Sequence, residues 1–131
     1  MAVRHIGKHP LYDVTLHVAN IDDYERRFGN NITFRQYYNN QVAVEVGDLA
    51  VKLVKAVRCP LPVKNSRRYN IHFYARNGNF TQQLHFKVTD TGVVRATRIL
   101  RNDKVVYEDV PKNFADDSTK GLEWWDEDGP G

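Results

Sequence analysis

Cysteine is nearly absent from this chain of 131 residues: Cys59 stands alone. That excludes an intrachain disulfide and makes a reducing, intracellular compartment the simplest expectation. Long apolar runs are absent too. None approaches the roughly 18 residues that a membrane-crossing helix needs. Residues 1–10 carry no apolar stretch of the kind that marks a secretory signal. No membrane partner is therefore expected. Carboxylates are sparse before the C-terminus, no glycine-rich phosphate loop precedes a helix, and His, Cys and acids do not gather at metal-ligand spacing. The chain reads as non-enzymatic, with no cofactor and no metal.

What the chain has in abundance is alternation between residues 69 and 101. Tyr69–Arg76, Phe80–Val88 and Val93–Leu100 each alternate apolar with polar residues, and Asn77-Gly78-Asn79 and Asp90-Thr91-Gly92 separate them. Period-two patterning broken by Gly, Asn and Asp predicts two antiparallel hairpins in succession. With Gly78-Asn79 as a two-residue loop, Ile71 faces Phe86 and Phe73 faces Leu84 on one side. His72 then faces His85, and Tyr74 faces Gln83, on the other. With Asp90-Thr91-Gly92 as a three-residue loop and Gly92 left-handed, Val88 faces Val94 and Phe86 faces Ala96. That register sets Arg98 on the apolar side, an awkward place for a guanidinium.

The remaining stretches are read in the same terms. Residues 1–10 form a loose lead-in ended by Pro10. Leu11–Val18 predicts a strand with Val14, Leu16 and Val18 on one face. Asn20–Phe28 predicts a short helix, capped by Asn20 or Asp22 and stopped at Gly29-Asn30-Asn31. Residues 32–47 read two ways: as a hairpin about Asn39-Asn40, or, in the first half, as a helix stacking Phe34, Tyr38 and Val42. Gly47-Asp48 is a turn signal ahead of a strand over Leu49–Val57. Cys59–Arg68, with Pro60 and Pro62, is a loop. Asn102-Asp103 turns the chain into a last strand, Lys104–Val110. The whole is mostly β (α+β): an antiparallel meander sheet with at least one short helix in the N-terminal third. It forms a single domain over residues 1–113, with an acidic flexible tail at 114–131.

Charge is divided along the chain. Residues 1–113 hold 18 Lys/Arg against 10 Asp/Glu, a net +8, and residues 114–131 carry −5. A basic body with an acidic tail suits a protein that meets polyanions or acidic partners. The outer face of the hairpins presents His72, Tyr74, Arg76, Gln83, His85, Lys87 and Arg95, with Arg67 and Arg68 next to it in sequence. Bases interleaved with aromatics are the makings of a single-stranded nucleic-acid surface, and equally of a solvated sheet face. His72 with His85 is too small a set for zinc, and Gly7 and Pro10 keep His5 and His9 off a common helix. Nothing sets a base beside Cys59, so it is read as a structural thiol. Trp124 and Trp125 are candidates to dock a partner, to fold back onto the body and cover its basic face, or to pack against the edge of the domain's own core.

The stretch Leu49–Ala56, followed after the loop by Tyr69–Ala75, with Tyr38-Asn39 at a possible helix end, resembles plant cystatins and the wider cystatin-like superfamily. The resemblance covers about residues 34–100. It implies an antiparallel sheet wrapped around one helix and a protein partner. The family's inhibitory loops do not carry over. Its first, a Gln-x-Val-x-Gly signature, corresponds to Pro60–Arg68, which has no glycine. Its second carries Pro-Trp where this chain has Asp90-Thr91-Gly92. Papain-type proteases are therefore expected to be inhibited weakly or not at all, and tight, stoichiometric inhibition in a titration would contradict this reading.

Overall fold

The computed structural model describes residues 2–4, 9–29, 31–50, 54–56, 68–90, 92–111 and 124–125, with the side chains of 2–4, 54–56 and Thr89 left aside. Eight strands and two short helices follow one another: β1 (Ala2–Arg4), β2 (Leu11–Asn20), α1 (Ile21–Phe28), α2 (Phe34–Asn39), β3 (Val42–Leu49), β4 (Val54–Ala56), β5 (Arg68–Ala75), β6 (Gly78–Thr89), β7 (Gly92–Arg101) and β8 (Lys104–Asp109). Six strands make one antiparallel sheet in the order β3-β2-β5-β6-β7-β8, and β1 pairs with β4 in a separate two-stranded ribbon. The mostly-β class and the antiparallel sheet hold, but only β5 to β8 run as a meander, because β2 lies between β3 and β5. The lead-in is corrected, since Ala2–Arg4 is a strand.

The helices form where local chemistry favours them. Asn20 caps α1 by accepting a hydrogen bond from the Asp23 N–H at 3.0 Å, and Asp22 and Asp23 lie at the positive end of its dipole. Gly29, at φ 72°, ends it in a conformation that favours glycine. Residues 32–47 split between the two readings: the first part is the helix α2, the second the strand β3. Thr33 and Gln36 close a reciprocal capping box at the start of α2, with bonds of 3.0 and 3.1 Å. The Gly47-Asp48 turn is not formed. Gly47, at φ 84°, stays within β3 opposite Val14, where the ladder shifts register and the Asp48 carboxylate accepts the Asp13 N–H at 2.9 Å. Leu49 thus ends β3. Of the expected strand from Leu49 to Val57, Val54–Ala56 is the strand β4, and residues 51–53 and 57 lie outside the described residues.

Both hairpin registers differ from expectation. In the first, Phe73 faces Phe80 and Tyr69 faces Leu84, a slip of four residues that makes Arg76-Asn77 the turn. A slip by an even number leaves each face intact, so the apolar and polar sides are as read. The observed register lets Phe73 stack on Phe80 at 4.4 Å. It also lets Asn77 clamp the start of β2, accepting from the Tyr12 N–H at 3.2 Å and donating to the Pro10 carbonyl at 2.9 Å. In the second hairpin Thr89 faces Gly92, so the loop has two residues, and Phe86 faces Arg95 while His85 faces Ala96. This slip of one residue turns β7 over. Arg98 lies opposite Gln83 on the polar side, and Arg95 moves to the face that bears Phe86. The awkward guanidinium of the sequence reading is thereby resolved. Asn102 and Asp103, at φ 52° and 64°, make the left-handed two-residue turn into β8.

One face of the sheet gathers Val14, Leu16, Val18, Val46, Leu49, Tyr69, Ile71, Phe73 and Leu84 into a buried core, with Phe80 and Phe86 packed at its margin. The other face gathers Ala19 with Ile21, Tyr24, Tyr37 and Trp125. The sheet is therefore covered on the side expected to be open. Phe73→Ala should cost about 3–5 kcal/mol, the usual range for emptying an aromatic core position. Arg95→Ala, on an exposed side chain, should cost no more than about 0.5 kcal/mol. Chemical denaturation of both variants checks the assignment, and equal losses would contradict it.

Candidate functional site

The side of the sheet under the helices holds an unusual set of buried polar groups: Asn70, His72, Thr81 and Gln83, each 8% exposed or less. They come from neighbouring positions on β5 and β6, where Asn70 faces Gln83 and His72 faces Thr81. Buried polar atoms need partners, and here they supply one another. The Asn70 amide donates to the Tyr37 hydroxyl oxygen at 3.1 Å. That hydroxyl meets Nε2 of His72 at 2.5 Å, and Nδ1 of His72 meets the Thr81 hydroxyl at 2.9 Å. Burial keeps the imidazole neutral, so one ring nitrogen donates and the other accepts between the Tyr37 and Thr81 hydroxyls. Tyr24 donates to the Tyr37 backbone carbonyl at 3.1 Å and stacks edge-on against its ring, fixing α1 to α2.

The second half of the network receives the C-terminal tryptophans. Asn70 Oδ1 accepts from Gln83 Nε2 at 3.1 Å and from the Trp125 indole N–H at 2.5 Å. Gln83 Nε2 also donates to the Trp125 carbonyl at 2.8 Å, and Gln83 Oε1 accepts from Arg98 Nε at 2.5 Å. The Arg98 guanidinium covers the Trp124 ring at 4.9 Å, and that of Arg68 approaches the Trp125 ring at 5.9 Å. The His85 ring meets Trp125 edge-on at 5.7 Å. Trp125 is only 9% exposed.

The residues expected to form one basic face are therefore dispersed. Arg68 is half-buried and held by Asp22 at 2.6 Å and Glu25 at 2.5 Å on α1. Burial works against its charge, but the hydrogen bonds to Glu25 and Asp22 outweigh it and raise its pKa. His72 is buried under Tyr37. Tyr74 packs edge-on against His17 at 4.9 Å. Arg76 sits at the hairpin turn, paired with Asp13 at 3.1 Å and over the Tyr12 ring at 5.6 Å. His85 lies against Trp125, and Lys87 is half-buried at the far end of β6. Arg95 is exposed on the opposite face, and Arg67 lies outside the described residues. Among the described residues no group of three or more His, Cys, Asp or Glu could hold a metal ion. No helix there is long and apolar enough to cross a membrane.

Tyr37, Asn70 and Thr81 were not singled out by the sequence, and Arg98 was marked only as out of place on the apolar side. Their signal was the polar half of the alternation, which reads as a solvated face unless something is known to cover it. Comparison of the chain with family models, curated proteins and solved structures finds no match.

Burial, with a smaller contribution from His17, pushes the His72 pKa down to about 4. The folded state thus keeps His72 neutral where the unfolded chain binds a proton. Stability is full above the ordinary histidine range near pH 6.5 and falls as the pH drops from there towards about 4. The loss over that window should be roughly 3 kcal/mol. Denaturation of wild type and His72→Gln between pH 7.5 and pH 4 measures it; equal pH slopes for the two proteins would contradict the assignment.

Proposed function

We propose that the chain is a non-catalytic protein-binding module that docks its partner along the β8 edge of the sheet. The observation that carries this reading is β8 itself. All six of its residues, Lys104–Asp109, are exposed, although Val105, Val106 and Tyr107 lie at its centre. Among the described residues β8 is an edge strand, and an edge with large exposed apolar side chains is what soluble proteins ordinarily blunt or cover. The β7–β8 ladder passes from Ile99↔Tyr107 to Leu100↔Val105 and skips Val106, which is 61% exposed. Such bulges re-aim a side chain. The partner that fits carries an apolar patch, an acid to meet Lys104 and bases to meet Glu108 and Asp109.

The state of the polar groups supports a non-catalytic role. His72 is enclosed between Tyr37 and Thr81, and Arg68 is engaged by two carboxylates. A cystatin-like shape draws support from the meander and from α2, which ends at Asn39 as Tyr38-Asn39 implied. Two short helices stand where the resemblance implies one. The alternative, single-stranded nucleic-acid binding under an autoinhibitory acidic tail, draws on the cation–π contacts of Arg98 and Arg68 with Trp124 and Trp125. It is the weaker reading, because the face it needs lies under the helices as well as the tryptophans.

Val106→Lys and Tyr107→Lys alter exposed side chains and should leave stability within about 0.5 kcal/mol of wild type. Affinity capture with nuclease treatment should retain a protein partner with wild type and lose it with both variants. Capture that disappears on nuclease treatment, or that both variants preserve, would overturn the reading.

A further inference from the structure

Trp125 enters the fold as a ligand enters a receptor. Fifteen residues, 110–124, separate it from the end of β8. Its indole N–H and its backbone carbonyl are both read by buried amides, those of Asn70 and Gln83, neither of which has any exposure. The groups that read it are held by partners other than Trp125. Asn70 is held by Tyr37, Gln83 by Arg98, and Arg68 by Asp22 and Glu25. A socket oriented by its own neighbours keeps its shape when its occupant leaves, and such preorganisation favours rebinding. The occupant matches the socket in charge. Glu123 and Asp126 flank the tryptophans in sequence, and Arg68 and Arg98 border the socket.

The geometry points to the Trp125 socket as an exchange site: it takes the C-terminal segment of a second copy of this chain as it takes its own, and two copies that trade segments form a closed dimer. Each copy then gives one Trp124-Trp125 pair and receives one, the self-complementary arrangement of a two-fold assembly. Fifteen residues extend to at most about 54 Å, enough to cross to a neighbouring socket. The chain's own segment holds the site at an effective concentration in the millimolar range. Exchange therefore shows at high protein concentration or when the resident tryptophan is removed.

The test uses the full chain and a fluorescein-labelled peptide of residues 120–131. Trp125→Ala leaves the socket built and empty, so it should bind the peptide at least about tenfold more tightly than wild type does. The same peptide with Ala at position 125 should not bind. A folded Trp125→Ala protein that ignores the peptide, or equal binding by it and wild type, overturns the proposal. If Trp125→Ala does not fold, wild type carries the test. Unfolded and refolded at high concentration, it should give a dimer that survives dilution; refolded at low concentration, it should give monomer. Monomer under both conditions overturns the proposal.

Discussion

Two fully buried amides, Asn70 and Gln83, set the terms for one whole side of this sheet. They face each other on adjacent strands, and an unsatisfied amide in that position costs on the order of 1–3 kcal/mol. Satisfying them draws in three further parts of the chain. Tyr37 arrives on α2, Arg98 on β7, Trp125 from the C-terminal stretch, and His72 with Thr81 extends the chain of hydrogen bonds along β5 and β6. The apolar members of the same cluster, Ala19, Ile21 and Tyr24, close over this network. A network of this kind is strong when every member is paired and a liability when one is missing.

That constraint also decides what the molecule can present to a partner. Cations that look available in the sequence are consumed by the fold: Arg68 fixes α1 to β5, Arg76 fixes the hairpin turn to β2, and Arg98 fixes Gln83. Among the described residues β8, at the opposite edge of the sheet from β3, carries three exposed apolar side chains in a row, while Phe34 and Val42 are exposed singly elsewhere. The division is a physical reason to weigh protein contact above phosphate contact, since paired guanidinium groups, of which Arg68 and Arg98 are also partly buried, have less to gain from a new anion.

Much of the fold was legible, because alternation and turn residues speak directly to strand positions. The strands from Tyr69 to Leu100 and the helix capped by Asn20 follow from local chemistry. The ambiguity at residues 32–47 had its answer in the sequence, in the Thr33-to-Gln36 spacing of a capping box. Register was harder. The four-residue slip depends on Asn77 reaching back to Pro10 and Tyr12, contacts about 65 residues distant that no local pattern encodes. The one-residue slip at residues 90–91 was signalled by Arg98, whose burial among apolar residues was physically implausible and marked the register as wrong. The site was the least legible part. A row of His, Asn, Thr and Gln on alternate positions reads the same whether water or Tyr37 and Trp125 lie above it.

The central claim is that Trp125 belongs to the core through its indole N–H. Hydrogen exchange of the two tryptophan side-chain N–H groups, followed by nitrogen-15 NMR on the full chain, tests it most directly. The account predicts that the Trp125 indole proton, donated to Asn70, exchanges only as slowly as the buried core opens, while that of Trp124 exchanges faster. Two indole protons exchanging together at the rate of free indole would contradict it.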